Sequence, residues 1–338
     1  MNRSQPEASK IDGAPSDLYP LELDRFLSPR LWGGERLVSF LDLSEPEGDE
    51  PLGESWQIYG GNRVLSGAHQ GKTLDEVSGE LGAALIGTVA SGRYGDSFPL
   101  LAKFIDAADK LSIQVHPDDA YAHEHEADSG FHGKSEAWLI LAAAPDAGII
   151  WGFKDALTPA EVERAAQDER LEPHLNFVPA KAGDVVYNPA GTVHAIGAGI
   201  FLFEIQQASD LTYRLYDYGR KDSQGNPRDL HLGKALEVAD LTPGEHARVT
   251  PIPLGGGKTE LLKNEFFAFE RWDVSGDLQE TTEPTSAELL TVLSGELTLR
   301  AGDTELMLEQ GGSCVLPAAL GAYSLSGEGT LLRCYVPA

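Results

Sequence analysis

A chain of 338 residues is long enough for one large or two moderate domains with a substantial core. Its hydrophobic content of 41% is ordinary for a globular protein, and no apolar run approaches the roughly 18 residues of a membrane-spanning helix. A formal net charge of −27 argues against nucleic acid as a partner, because an acidic surface repels phosphate backbones; any anionic substrate must then be met by a local cluster of cations.

Residues 1–17, MNRSQPEASKIDGAPSD, are polar and lack the apolar segment of a secretory signal, so they read as a flexible extension on a cytoplasmic chain. Between Tyr19 and Arg63, short apolar runs alternate with turn residues such as Trp32-Gly33-Gly34 and Gly53-Glu54-Ser55-Trp56, which predicts short strands and loops. Leu74 to Ile86 has helical spacing, with Thr73 or Asp75 as its cap. Ser112-Ile113-Gln114-Val115-His116 alternates polar with apolar and predicts a strand. Asp118 to His132 is polar and has no apolar period; its His123, His125 and His132 sit among acids, which predicts a solvated loop beside the strand, in the position of a lid. Glu136 opens a second strand-like run, Ala137 to Leu141.

Thr158 to Leu171 predicts an amphipathic helix with Thr158 as cap, Pro159 at the first position and Glu161 at the third. Gly183 to His194 supplies a strand and a turn that ends in histidine. Ile200–Gln207 and Leu211–Tyr218 read as strands joined in a hairpin at Ala208-Ser209-Asp210. Residues 219–250 are polar, with a short helical patch near Gly233–Val238. Pro251 to Gly257 resembles a linker or a turn between units, and 258–338 returns to short alternating strands such as Leu289–Leu293, Glu296–Leu299 and Leu331–Tyr335. Strands dominate and few helices alternate with them, so a mainly β fold of antiparallel sandwiches or barrels is expected. The two cysteines, Cys314 and Cys334, lack the spacing of a metal-binding pair.

Side chains two apart on a strand share a face, so Gln114 and His116 project together. With Glu136 and His194 they make a mixed nitrogen and oxygen ligand set for one divalent metal, with a coordination position left open for chemistry. Taken singly, each has a plainer reading: a core histidine, or an ion-paired surface glutamate. Gly133-Lys134-Ser135 looks like the end of a phosphate-binding loop, but Asp128 stands where the first glycine should be, and a strand rather than a helix follows.

Gly183-Asp184-x4-Pro189-x4-His194 has a weaker echo in Gly311-Gly312-Ser313-Cys314-Val315-Leu316-Pro317, where Ala322 replaces the histidine. The pattern resembles the second motif of the cupin superfamily of jelly rolls. It implies a double cupin with a few short helices: a metal-bearing catalytic unit over 18–250 and a degenerate unit without metal over 251–338.

FPLLAKFIDAADKLSIQVHPDD, GKSEAW, AGDVVYNPAGTVHAI and FEIQQASDLTYRLYDYGR follow one another in the chain. In that order they resemble the type I mannose-6-phosphate isomerases (phosphomannose isomerases) in their short bacterial form, from about Leu31 to Tyr218. The resemblance implies one zinc ion held by Gln114, His116, Glu136 and His194. It implies Arg214, Glu204 and Lys134 as catalytic residues, with Lys103, Lys134 and Arg214 binding the substrate. The implied reaction interconverts mannose 6-phosphate and fructose 6-phosphate through an enediol, and the three cations supply the local basic cluster that the net charge requires. Two departures from the family pattern stand out. The long helical insertion of larger members is absent, since only twenty residues separate His194 from Arg214, and the N-terminal extension has no counterpart. Two other classes remain open at this level, an iron cupin dioxygenase and a non-catalytic sugar-binding cupin. Gln114 in the ligand set argues against the first and the intact quartet against the second. Oligomeric state is open.

Overall fold

The computed structural model describes residues 18–44, 50–221, 225–244 and 247–338; the extension expected over 1–17 lies outside them. The strands of the first part are β1 (Leu21–Glu22), β2 (Phe26–Gly34), β3 (Leu52–Ile58), β4 (Leu100–Ala107), β5 (Ile113–Val115), β6 (Glu136–Ala143), β7 (Gly148–Phe153), β8 (Leu175–Pro179), β9 (Val185–Asn188), β10 (His194–Ile196), β11 (Ile200–Gln207), β12 (Tyr213–Tyr216) and β13 (Arg248–Val249). The second part contributes β14 (Ile252–Gly255), β15 (Lys258–Lys263), β16 (Ala268–Thr281), β17 (Glu288–Ala301), β18 (Thr304–Glu309), β19 (Ser313–Leu316) and β20 (Ala322–Tyr335).

They form three sheets: seven strands in the order β13-β9-β6-β11-β4-β3-β2, five in the order β12-β5-β10-β7-β8, and eight in the order β1-β19-β17-β20-β16-β15-β14 with β18 beside β17. The seven-stranded sheet is the middle layer. On one face Phe104, Leu139 and Phe203 share an apolar cluster with Phe269, Leu289 and Leu332 of the eight-stranded sheet. On the other, Ile105, Trp138 and Leu202 share a cluster with Ile149 and Ile196 of the five-stranded sheet. Every residue of β4 and β11 is therefore buried, which is why both strands are largely apolar; of their charged residues Lys103 and Glu204 line the cavity, while Asp106 accepts from the Arg36 and Leu37 N–H groups. The expected mainly β, double-sheet architecture is present.

Several local expectations are corrected. The helix expected over Leu74–Ile86 is two: Leu74–Leu81, held by a Thr73–Glu76 capping box, stops at Gly82, whose φ of 50° no helix accepts, and Ala83–Ile86 follows. The polar segment after His116 is not a loop throughout. Asp119–His125 is a helix whose first turn is capped by Asp118 Oδ1, which accepts from the Tyr121 backbone N–H at 2.8 Å. Of that helix only Ala122 is buried, so its sequence has no apolar period to reveal. β11 and β12 do not form a hairpin. β11 lies between β4 and β6, whereas β12 pairs with β5 in the other sheet, and the chain crosses between sheets over 208–212. A three-residue turn signal is compatible with either outcome, and distant partners decided it.

Of the linker or turn expected over Pro251–Gly257, the turn forms, inside a hairpin: β14 pairs with β15, and Gly255, Gly256 and Gly257 all adopt positive φ. The last strands are longer than expected, with β16, β17 and β20 each spanning 14 residues. They run through glycines that looked like interruptions. At Gly295 a Cβ would lie 2.1 Å from the Glu328 carbonyl oxygen, so the glycine permits the close pass of β17 and β20. The expected amphipathic helix forms as Pro159–Gln167 with its Thr158–Glu161 capping box, and the expected patch forms as Leu232–Val238. Cys314 and Cys334 are free and belong to different apolar clusters.

The internal repeat has a structural counterpart. β9 starts two residues after Gly183 and β10 begins at His194; β19 starts two residues after Gly311 and β20 begins at Ala322.

Candidate metal centre

Two rows of side chains face each other between the seven- and five-stranded sheets. In the five-stranded sheet Arg214 of β12 and His194 of β10 are both directly opposite Gln114 of β5. In the seven-stranded sheet Trp56, Lys103, Glu204 and Trp138 are successive cross-strand partners along β3, β4, β11 and β6. Glu136 stands two residues before Trp138 and so on the same face. His116 follows β5, and its carbonyl accepts from the Gly191 N–H at 2.9 Å, which ties it to the turn that delivers His194. Gly191 has φ +86°, a conformation that suits glycine in this turn.

These elements converge on Glu136. Its Oε2 lies 3.4 Å from His116 Nε2 and its Oε1 3.2 Å from His194 Nε2. The Gln114 amide end is 3.4 Å from His194 Nε2. Each imidazole is oriented through its other nitrogen: His116 Nδ1 is 2.8 Å from the Leu211 carbonyl and His194 Nδ1 is 2.9 Å from the Thr192 carbonyl. A carbonyl only accepts, so both rings carry their proton on Nδ1 and turn the Nε2 lone pair inward. Among the described residues, His116, Glu136 and His194 form a group of three whose ligand atoms lie within 4.8 Å of one another, and all three are buried.

His116 Nε2 and Glu136 Oε1 are buried without a hydrogen-bond partner. Lone pairs that converge in this way repel, and a divalent cation is the group that would satisfy them together. Burial and the Lys134 ammonium push His116 down to about 3, which keeps it neutral and able to ligate. Burial alone would raise the Glu136 carboxyl, but the Lys134 ammonium, with Nζ at 3.0 Å, holds it well below the carboxylate range. The donor set fits a metal of borderline hardness.

The centre opens on a cavity of about 530 Å³ whose lining includes Gln114, Lys134, Glu204, Arg214 and Arg228. Glu204 is buried, accepts a hydrogen bond from Trp138 Nε1 at 2.8 Å, and has Lys103 Nζ 3.0 Å from its other oxygen. Burial and the Glu136 carboxylate push the Glu204 carboxyl up from its ordinary value, against the pull of Lys103. Lys103 sits between two carboxylates, with Glu54 Oε2 at 3.5 Å. Arg214 donates from Nε to Ser112 Oγ at 3.1 Å and from Nη1 to the Asp229 carbonyl at 2.9 Å, which fixes its guanidinium on the wall. The histidines of the segment after His116 stay apart from this group: His123 and His132 contact each other at 2.9 Å.

Of the site residues expected from the sequence, Lys103, Gln114, Lys134, Glu204 and Arg214 line one cavity, and His116, Glu136 and His194 form the buried cluster that Gln114 adjoins. Reading the sequence missed Glu54, Trp138, Arg30 and Arg228, which line it or hold its lining in place. Arg228 grips both oxygens of Asp217 at 2.7 and 2.5 Å. No periodic or motif signal marks these residues; strand register brings Arg30, Glu54 and Trp138 to the site, and the pairing with Asp217 holds Arg228 there.

Fold and site describe a mainly β protein with a candidate metal centre facing a cation-lined cavity between two sheets. A family model described as the phosphomannose isomerase type I catalytic domain matches residues 21–145, and one described as the mannose-6-phosphate isomerase cupin domain matches residues 257–336. The mannose-6-phosphate isomerase of Streptococcus mutans is 38% identical over 317 residues, 91% of this chain and 96% of its own. The mannose-6-phosphate isomerase ManA of Bacillus subtilis is 37% identical over 314 residues, with coverage of 91% and 96%. The crystal structure of a mannose 6-phosphate isomerase from Bacillus subtilis superposes with a TM-score of 0.82 at 34% identity, covering 93% of this chain and 99% of that one. The chain belongs to the type I mannose-6-phosphate isomerase family, an enzyme family.

Proposed function

We propose that the protein interconverts mannose 6-phosphate and fructose 6-phosphate through an enediol, with one zinc ion held by Gln114, His116, Glu136 and His194. The observation that carries this reading is the convergence of buried lone pairs on a cavity walled by Lys134, Arg214 and Arg228. When bound, the metal would supply Lewis-acid polarisation of the carbonyl.

The net change moves one proton from C2 to C1 and one from O2 to O1. Glu204 carries the carbon-bound proton: its carboxyl lies on the cavity wall, and burial beside the Glu136 carboxylate raises its proton affinity above that of an ordinary carboxyl. Lys134 stands by the substrate oxygens: its ammonium gives a proton to O1, and the amine so formed takes the proton that leaves O2, which restores the charge. Arg214, with Arg228 beside it, grips the phosphate through planar donors. Lys103, expected among the phosphate ligands, has two carboxylate partners, and we assign it to holding Glu204. We also take residues 18–250 as the catalytic unit and 251–338 as the unit without metal.

A coupled assay of mannose 6-phosphate consumption, before and after chelation, tests the reading. Activity that disappears with the chelator and returns with zinc is expected. Turnover untouched by complete metal removal, or a metal-loaded protein that leaves mannose 6-phosphate unchanged, would overturn it. Return of activity with iron but not zinc would point to iron chemistry.

A further inference from the structure

Glu54 lines the active cavity, is buried and has no part in the metal centre. It stands two residues before Trp56 on β3 and so faces the cavity beside the row Trp56–Lys103–Glu204–Trp138. The Lys103 ammonium lies 3.0 Å from Glu204 Oε1 and 3.5 Å from Glu54 Oε2. Both carboxylates are locked in the same way. Trp138 Nε1 donates to Glu204 at 2.8 Å and Trp56 Nε1 to Glu54 at 2.7 Å. Arg30 Nε, at 3.0 Å, completes the set on the outer oxygen of Glu54. Two anions and two cations alternate along this line, so their charges balance.

We propose that Glu54 is a positioning residue for the isomerisation, acting through Lys103 on Glu204; the inference rests on the reading of Glu204 as the carrier of the carbon-bound proton. The physical reason is competition for one ammonium. With Glu54 present, Lys103 is shared between two carboxylates. Without it, Lys103 has Glu204 as its remaining anionic contact in this line, closes on it, and makes that carboxylate a weaker base and a less mobile one. Glu54 therefore sets how much of the Lys103 charge Glu204 feels, without contacting the reacting carbons. A merely structural ion pair would affect stability and leave this balance out of the kinetics.

The test is a cycle of Glu54→Gln, Lys103→Met and the double variant, each assayed for kcat and KM with mannose 6-phosphate and for bound metal. Glu54→Gln is expected to lower kcat about tenfold or more, with KM within about threefold and metal content unchanged. The double variant is expected to be no slower than Lys103→Met alone, because the effect of Glu54 passes through that lysine. Trp56→Phe, which keeps the ring and removes the N–H donated to Glu54, should lower kcat in the same direction by less; it also keeps the test open should Glu54→Gln fold poorly. Additive losses in the cycle, a raised KM at unchanged kcat, or no change in kcat would overturn the inference. Glu204→Gln separates the two levels. Full activity in that variant sinks the role given to Glu204 itself, whereas its inactivity beside an unaffected Glu54→Gln sinks the positioning role alone.

Discussion

His194 shows how one side chain is oriented as a candidate metal ligand. Its Nδ1 faces the Thr192 carbonyl, so its Nε2 has a lone pair and nothing to donate toward Glu136. His194→Ala is therefore expected to lose stoichiometric metal on dialysis, read by elemental analysis, with activity falling in step; full metal occupancy in that variant would remove His194 from the ligand set. Arg214→Ala leaves every proposed ligand in place. It should lower kcat/KM by about a hundredfold or more while metal content stays at the wild-type level. Glu54 makes a prediction about stability. Burial alone would raise its carboxyl, but Lys103 and Arg30, with the Trp56 N–H, hold it down to about 2 from an ordinary 4.5. A depressed carboxyl stabilises the fold fully above the unfolded value, and the contribution disappears as pH falls from about 4.5 toward about 2. Its upper size is on the order of 3 kcal/mol. Denaturant unfolding at a series of pH values should show a shallower acid loss in Glu54→Gln than in wild type; equal slopes would mean the pairing contributes nothing.

Local elements follow local chemistry where their signals are self-contained. The Thr158–Glu161 capping box was visible in the sequence because both reciprocal hydrogen bonds lie within four residues, and the helix Pro159–Gln167 begins where those residues place it. Thr158→Ala should cost about 1 kcal/mol, measured as a lower urea midpoint at constant m-value. An unchanged midpoint would mean that packing of Val162 and Ala165 alone defines that helix end. Elements that depend on distant partners were less legible. The alternation that exposed Gln114 and His116 as neighbours says nothing about which strand lies beside β5. Glu54 and Trp138 come to the site through the registers of β3 with β4 and of β6 with β11, which are contacts between residues up to 66 apart. The hairpin expected at 208–210 failed for the same reason, since β12 found its partner in β5, about a hundred residues earlier.

Across the whole molecule, the central strands β4 and β11 of the middle sheet are buried on both faces. Their Phe104 and Phe203 pack with Phe269 and Leu332 of the eight-stranded sheet, and β1 from the start of the chain pairs with β19 near its end. A chain cut after residue 250 would uncover that apolar face. It is expected to aggregate or to unfold without a cooperative transition, as judged by size exclusion and thermal melting, and a monomeric, active fragment would show that the shared core is dispensable. Metal analysis of the intact protein should give one ion per chain, because Ala322 stands at the repeat position that His194 occupies. Among the described residues no helix is long and apolar enough to cross a membrane.

Residue types and their spacing along the chain determined the mainly β character, the capping-box helices, the candidate ligand residues and the family, because strand alternation, caps and compact motifs are written within a few residues of one another. Tertiary structure decided which sheet each strand joined, that Lys103 lies between two carboxylates, and that Glu54 stands behind it. Those outcomes depend on register between distant strands and on burial that changes what a charge costs, and neither is a property of any short stretch of sequence.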